Sequence, residues 1–275
     1  MRAVAWTSEP VAAVFWPVVV VLGPAVVVFG PVGRRRRLRS PGVASYLITG
    51  VSRGIGRTVA ERLLAEGHEV YGISRAPLSE PALTGQAVLD LANLADFAGA
   101  LGPLLKSVTE LSGLVHCAGV VRPGRLADAD PAAVTEQFMI NVVAVAELTR
   151  LWLPALRAGA GTVLLVNSGS GLNARPPLSA YGMSKFALRG YAEALRQEEP
   201  GIRVSTVYPG RTDTDMQRVV RAAESGSYQP ADYLRPDTVA EVILSVLRLP
   251  ADGTITDVML RPTGQPKPAA PDAHH

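Results

Sequence analysis

Three glycines in seven residues, Gly50-Val-Ser-Arg-Gly54-Ile-Gly56, stand between an apolar pentad, Ser45-Tyr-Leu-Ile-Thr49, and a helical pattern from Thr58 to Glu66 that Gly67 closes. Strand, tight turn, helix is the order these segments dictate. Glycines allow the backbone to turn sharply and to come close to a pyrophosphate, which rests on the free N–H groups of the following helix. A glycine triplet alone is a weak signal. The strand before it, the helix after it and a second apolar run, Glu69-Val-Tyr-Gly-Ile-Ser74, strengthen it. The spacing is G-x-x-x-G-x-G rather than the commoner G-x-G-x-x-G.

Further strand candidates follow at Ala87-Val-Leu89, leading to Asp90-Leu91, and at Gly113-Leu-Val-His-Cys117, leading to Ala118-Gly119. A helical pattern from about Leu94 to Glu110 separates them. Strands alternating with helices predict a parallel, doubly wound sheet with ligands at the C-terminal ends of its strands. His116 and Cys117 lie at such an end, and each reads as a buried polar neighbour of the ligand. Folds that prefer NAD place an acid at the end of the second strand for the ribose 2′-hydroxyl. This chain has Ile73-Ser74-Arg75 there and no carboxylate. Arg75, and Arg53 within the glycine turn, are guanidinium forks suited to a 2′-phosphate. That favours NADP(H), with NAD(H) also accommodated.

The chemistry points to Ser168–Lys185, SGSGLNARPPLSAYGMSK, which follows the apolar run Gly161-Thr-Val-Leu-Leu-Val-Asn167. Tyr181 and Lys185 are four apart, one turn along a helix predicted from about Ala180 to Glu199. A phenol of ordinary pKa, about 10, is a poor proton donor or acceptor near neutrality. A neighbouring ammonium lowers that value, and Ser168 at the strand end would hold a substrate oxygen beside the phenol. Those parts suit proton transfer at a carbonyl or alcohol oxygen.

Taken together these motifs, from about Ser45 to Arg261, resemble the short-chain dehydrogenase/reductase family. The family's TGxxxGxG turn is met by Thr49 to Gly56, and its adenine-contacting Asp-Leu is similar to Asp90-Leu91. The resemblance implies an α/β fold, a Rossmann-type doubly wound parallel sheet of about seven strands with helices on both faces, in a single domain. It implies a cofactor site of Thr49, Gly50, Ser52, Arg53, Gly54, Ile55, Gly56, Arg75, Asp90, Leu91, Ala118, Gly119, Tyr181, Lys185, Pro209, Gly210, Thr212 and Thr214. Its catalytic set falls on Ser168, Tyr181, Lys185 and Asn141. Tyr181 would be the general acid in reduction and the base in oxidation. Lys185 would hold the nicotinamide ribose and lower the phenol's pKa, and Ser168 would position the substrate oxygen. Asn141 would hold a water linking Lys185 to solvent. His116-Cys117 stands where the family has two asparagines, a departure that bears on the local geometry. The last strand, Thr254 to Leu260, runs into Arg261-Pro262 without the Asp-Gly-Gly ending of the fatty-acid ketoacyl reductases. The family also implies a homodimer or homotetramer. Epimerisation or dehydration with tightly held NAD(P), a catalytically idle NADP-binding sensor and a membrane-tethered interaction protein are the rival readings.

Composition bounds the rest. One cysteine, Cys117, and four histidines, two of them at the C-terminus, argue against an internal disulfide or a Cys- or His-rich metal site. Residues 1–44 hold six arginines against one acid, a net +5, while the remainder has 21 basic and 23 acidic residues, a net −2. A mildly acidic body offers no basic stripe for nucleic acid. Val11 to Val32 carries no charge and is followed by Arg34-Arg-Arg-Arg37. Residues 11–32 fit a membrane span with its C-terminal side in the cytoplasm, although Pro17, Pro24 and Pro31 are many for one helix. The alternative is a start assigned upstream of the true one. Either reading places the catalytic body, 45–261, in the cytoplasm. Asp130 to Arg157 reads as a long helix ending near Pro154, Arg211 to Arg235 as a polar substrate lid, and 262–275, with four prolines, as a disordered tail.

Overall fold

The computed structural model describes residues 42–263 and two short segments, Val19–Leu22 and Ala25–Val28. The chain divides into two units, Met1–Gly42 and Val43–His275. In the first, Val19–Leu22 pairs antiparallel with Ala25–Val28. These eight residues of the apolar run are extended, not helical. β-branched valines favour strands. The rest of the 11–32 run and the tail from 264 lie outside the described residues.

The second unit is built on a seven-stranded parallel sheet. Its strands are β1 (Ser45–Thr49), β2 (Glu69–Ser74), β3 (Gly85–Val88), β4 (Gly113–His116), β5 (Thr162–Val166), β6 (Arg203–Pro209) and β7 (Asp257–Leu260). In space the order is β3-β2-β1-β4-β5-β6-β7. Chain direction across the sheet reverses beside β1, so a crevice opens where β1 and β4 end side by side, with Thr49 opposite His116. Each central strand alternates between two cores. Leu47, Leu114, Val163 and Leu165 join Phe97, Leu101 and Leu104 of α2 (Phe97–Ser107), with Leu148 and Trp152 of α4 (Ala144–Gly159) and Leu188 and Ala192 of α5 (Ser179–Glu198). Tyr46, Ile48, Val115 and Leu164 join Val59 and Leu63 of α1 (Gly54–Ala65), and Val239, Ile243 and Leu247 of α7 (Pro236–Leu247). Helices thus cover both faces, and the strands are apolar on both sides because neither side meets water.

The helix expected to end near Pro154 differs in two ways. It begins as α3 (Pro131–Phe138), capped by Asp130 accepting from Ala132 N–H at 3.0 Å, and widens into a π turn over Met139–Val143 before α4. α4 then passes through Pro154 to Gly159. One proline deletes a single helical hydrogen bond, and the buried face around it, Leu148, Trp152, Ala155 and Leu156, holds the remainder. Within the lid a further helix, α6 (Asp215–Ala223), is capped by Thr214.

His116 ties the sheet to α4. Its Nε2 lies 3.0 Å from Thr149 Oγ1, which itself donates to the Val145 carbonyl, so the imidazole donates and Nδ1 carries no proton. Burial, with the Lys185 charge adding to it, pushes His116 down to about 3 from 6.5. The folded imidazole stays neutral where the unfolded one binds a proton. Stability is therefore lost as pH falls below 6.5, by at most about 1.4 kcal/mol per pH unit from this proton. Urea unfolding at pH 6.5 and 5 should show a shallower loss in His116→Leu than in the wild type. Parallel pH profiles would contradict the assignment.

Candidate active site

Backbone contact builds the crevice floor. Gly50, at φ +75°, ends β1, and a Cβ on it would lie 2.9 Å from Ala118 N. A Cβ on Gly56 would meet the Gly50 carbonyl oxygen at 2.5 Å and Cys117 Cβ at 3.0 Å. The glycine turn is thus pressed onto the end of β4, and Thr49 Oγ1 fastens it by accepting from Ala118 N–H at 3.0 Å. Arg53, the N-cap of α1, gives no side-chain cap bond, so the first turn's N–H groups are unclaimed by a side chain there. A cradle that excludes side chains under an uncapped helix end fits a dinucleotide pyrophosphate. Burial holds the Cys117 thiol up at about 12, so it remains a neutral packing group.

On the adenosine side, Asp90 Oδ1 accepts from Ala92 N–H at 3.0 Å and Leu91 is buried. Ser52 is exposed and Ile55 half-buried against the α1–α7 core. Arg75 is exposed without an ion-pair partner among the described residues, whereas Arg53 pairs with Asp215 at 2.8 Å. From the other side of the crevice, Gly210 donates to the Leu260 carbonyl at 2.7 Å beyond Pro209. Buried Thr212 donates to the Gly210 carbonyl at 3.0 Å. The Thr214 methyl reaches within 3.5 Å of where a Gly54 Cβ would stand. Two sequence-distant members of the expected cofactor set, Ala118 and Thr214, therefore meet at the glycine turn.

The four expected catalytic residues converge at the end of β5. Ser168 Oγ accepts from Ser170 N–H at 3.1 Å and acts to lower the Tyr181 phenol's pKa. Lys185, almost wholly buried, donates from Nζ to the Val166 carbonyl at 3.0 Å and lies 5.8 Å from the centre of the Tyr181 ring. Asn141 sits in the π turn, a distortion that recurs at functional sites. Its Oδ1 accepts from Val120 N–H at 2.9 Å, and its Nδ2 donates to the Val120 carbonyl and to Ser184 Oγ, both at 3.0 Å. Ser184 in turn donates to the Tyr181 carbonyl at 2.7 Å. Gly119 joins this centre to the cradle, since a Cβ there would lie 3.2 Å from Asn141 Oδ1 and 3.8 Å from Lys185 Nζ.

Burial raises Tyr181 to about 12, with Ser168 acting against the rise, and Lys185 donates to the Val166 carbonyl. The same burial brings Lys185 down to about 8. The side chain of Asn141 bonds the Val120 backbone and Ser184, and so fixes the loop after β4.

The family model of the short chain dehydrogenases matches residues 45–225. The chain belongs to this family. Benzil reductase ((S)-benzoin forming) of Bacillus subtilis is 31% identical over 237 residues, covering 78% of this chain and 97% of its own. Dehydrogenase/reductase SDR family member 11 of Bos taurus is 28% identical, covering 80% and 96%. An alcohol dehydrogenase from Thermococcus sibiricus, solved with 5-hydroxy-NADP, superposes with a TM-score of 0.73 at 23% identity over 82% of this chain and 98% of its own, a likeness of fold. This short-chain dehydrogenase is an NAD(P)-dependent oxidoreductase of the CH–OH/C=O class, acting on small carbonyl or alcohol compounds.

Sequence reasoning missed the apolar surround of its phenol. Tyr181 packs with Val121, Val220, Leu178 and Met216. It also missed Asn167, which donates to the Lys185 carbonyl at 3.1 Å and accepts from Ser168 N–H at 2.8 Å. Thr214 before Asp215 is a helix-start signal that could have revealed α6. The cradle makes a direct test available. Gly50→Ala combines positive φ with a 2.9 Å clash against backbone, and is expected to weaken NADPH binding at least tenfold in a fluorescence titration. Wild-type affinity in a folded Gly50→Ala protein would contradict the cradle.

Proposed function

We propose that this dehydrogenase reduces a carbonyl compound, with NADP(H) as its preferred cofactor and Tyr181 as the proton donor. The observation that carries the reading is the buried Tyr181, its ring centre 5.8 Å from Lys185 Nζ, with Ser168 at the neighbouring strand end and Gly119 against the lysine. The bound nicotinamide would supply the hydride. Ser168 and Tyr181 would hold the carbonyl oxygen between two hydroxyls, and Tyr181 would release its proton to that oxygen as charge develops on it. A phenol near 12 is fully protonated at neutrality, which suits the reductive direction. Lys185, at about 8, would be mostly charged at pH 7 and lies close enough to the cradle to hold a ribose hydroxyl and oppose the developing phenolate. Asn141 would keep the Val120 loop in register beneath both. The name of the Bacillus relative supports a carbonyl substrate.

The preference for NADP(H) over NAD(H) rests on Arg75, exposed and without an ion-pair partner among the described residues, at the end of a β2 that lacks a carboxylate. Arg53, held by an exposed ion pair worth little, can turn to the same phosphate. Association as a homodimer or homotetramer is supported by Val143, Met183 and Phe186, which expose apolar surface on the α4–α5 side. We place the working body at 45–261, in the cytoplasm, with 1–44 as a leader and 262–275 as a tail.

In a screen of carbonyl compounds, Tyr181→Phe is expected to lower kcat for NADPH oxidation about 100-fold or more while leaving NADPH affinity within about twofold. Equal turnover by the variant would remove Tyr181 from the reaction. Separately, Arg75→Ala should weaken NADPH binding about tenfold and leave NADH binding unchanged. Tighter binding of NADH than NADPH by the wild type would end the phosphate argument.

A further inference from the structure

The segment read as a lid, Arg211 to Arg235, directs most of its charge at itself. Arg211 and Arg221 pair with Glu224, while Arg218 and the Tyr228 hydroxyl engage Asp213. Among the described residues, one ion pair joins this segment to the rest of the protein. It runs at 2.8 Å from Arg53 Nη1, in the glycine turn, to Asp215 Oδ2, on the first residue of α6. Beside it the Thr214 methyl stands 3.5 Å from where a Gly54 Cβ would be, so the start of α6 is seated on the start of α1. Met216 and Val220 of the same helix pack with Tyr181, which is 7% exposed. α6 is thus tied to the cofactor turn by a charge and to the Tyr181 ring by apolar contact.

The charged tie is one that can be exchanged. The two side chains are 67% and 61% exposed, and such a pair contributes little. Nη1 is the only donor of the Arg53 side chain engaged among the described residues. A phosphate carries more charge than a carboxylate and takes a guanidinium as a fork. Asp215 keeps support if Arg53 leaves it, because the free N–H groups of a helix's first turn favour an acid there, and Thr214 still caps α6.

We infer that Asp215 is a latch that competes with the cofactor's 2′-phosphate for Arg53. With no phosphate present, the pair holds the start of α6 on the glycine turn. When Arg53 turns to a 2′-phosphate, α6 loses its one charged tie to the body and its hold over Tyr181 loosens. NADP(H) therefore frees the lid where NAD(H) does not. Asp215 is a positioning residue, and it links the choice of cofactor to access at Tyr181. The inference rests on the NADP(H) reading above.

The test needs no turnover. Adenosine 2′,5′-bisphosphate carries the 2′-phosphate without a nicotinamide, and AMP lacks that phosphate. Hydrogen exchange of the α6 amides is followed by mass spectrometry with each nucleotide at saturation. The bisphosphate is expected to raise the exchange rate about threefold, the scale of an exposed ion pair, and AMP to leave it unchanged. Asp215→Asn should exchange at the raised rate without nucleotide and gain nothing further from the bisphosphate. Because the coupling is reciprocal, the variant should also bind the bisphosphate about threefold more tightly, with AMP affinity unchanged. Sodium chloride at about 0.5 M should bring the wild type toward the variant. Equal α6 exchange with the two nucleotides, or weaker bisphosphate binding by Asp215→Asn, would overturn the latch and leave the NADP(H) reading standing. A wild type that binds the bisphosphate no more tightly than AMP would overturn that reading and the latch with it.

Discussion

The approach of the β1–α1 turn to the end of β4 is the constraint on which the rest of the site depends. Gly50 and Ala118 come so close that no side chain fits at Gly50, and Thr49 Oγ1 locks the contact by accepting from Ala118 N–H. With Ala118 fixed, Gly119 falls against Asn141 and within reach of Lys185. With Asn141 clamped to Val120 and Ser184, the α5 turn bearing Tyr181 is fixed as well. A backbone contact at the end of β1 thus bears on the position of a phenol two strands away.

Burial sets the chemistry that this frame can perform. Removing Tyr181 from water raises its phenol, removing Lys185 lowers its ammonium, and His116 and Cys117 are both kept neutral by the same cause. Ser168 is the group that works against the rise at Tyr181. The centre therefore starts with its proton on the phenol and with little competing charge nearby.

Local features were legible and distant pairings were not. The glycine turn and the Ser168, Tyr181, Lys185 spacing could be read because each depends on residues within one turn or one helix. The sheet followed from alternating apolar runs, and the family resemblance carried its strand number. The His116–Thr149 clamp joins residues 33 apart, and the Arg53–Asp215 pair residues 162 apart. No periodicity announces either. Pro154 misled because a local rule for helix ends gave way to tertiary packing around Trp152 and Leu156. The closeness of Lys185 to Tyr181 could be read from their spacing along α5, but not its hydrogen bond to the Val166 carbonyl. α6 was hidden in a polar stretch, and of its own nine residues only Gln217 and Val220 are buried.

The central claim is that a carbonyl carbon is reduced at the crevice between the glycine cradle and Tyr181. NADPH deuterated at the reactive position of its nicotinamide, incubated with the protein and a set of neutral ketones, tests it most directly by mass spectrometry of the products. The account expects one deuterium on the carbinol carbon and solvent-derived hydrogen on its oxygen. Tight NADPH binding with no deuterium delivered to any ketone would contradict it, and would leave a nucleotide-binding protein in place of a reductase.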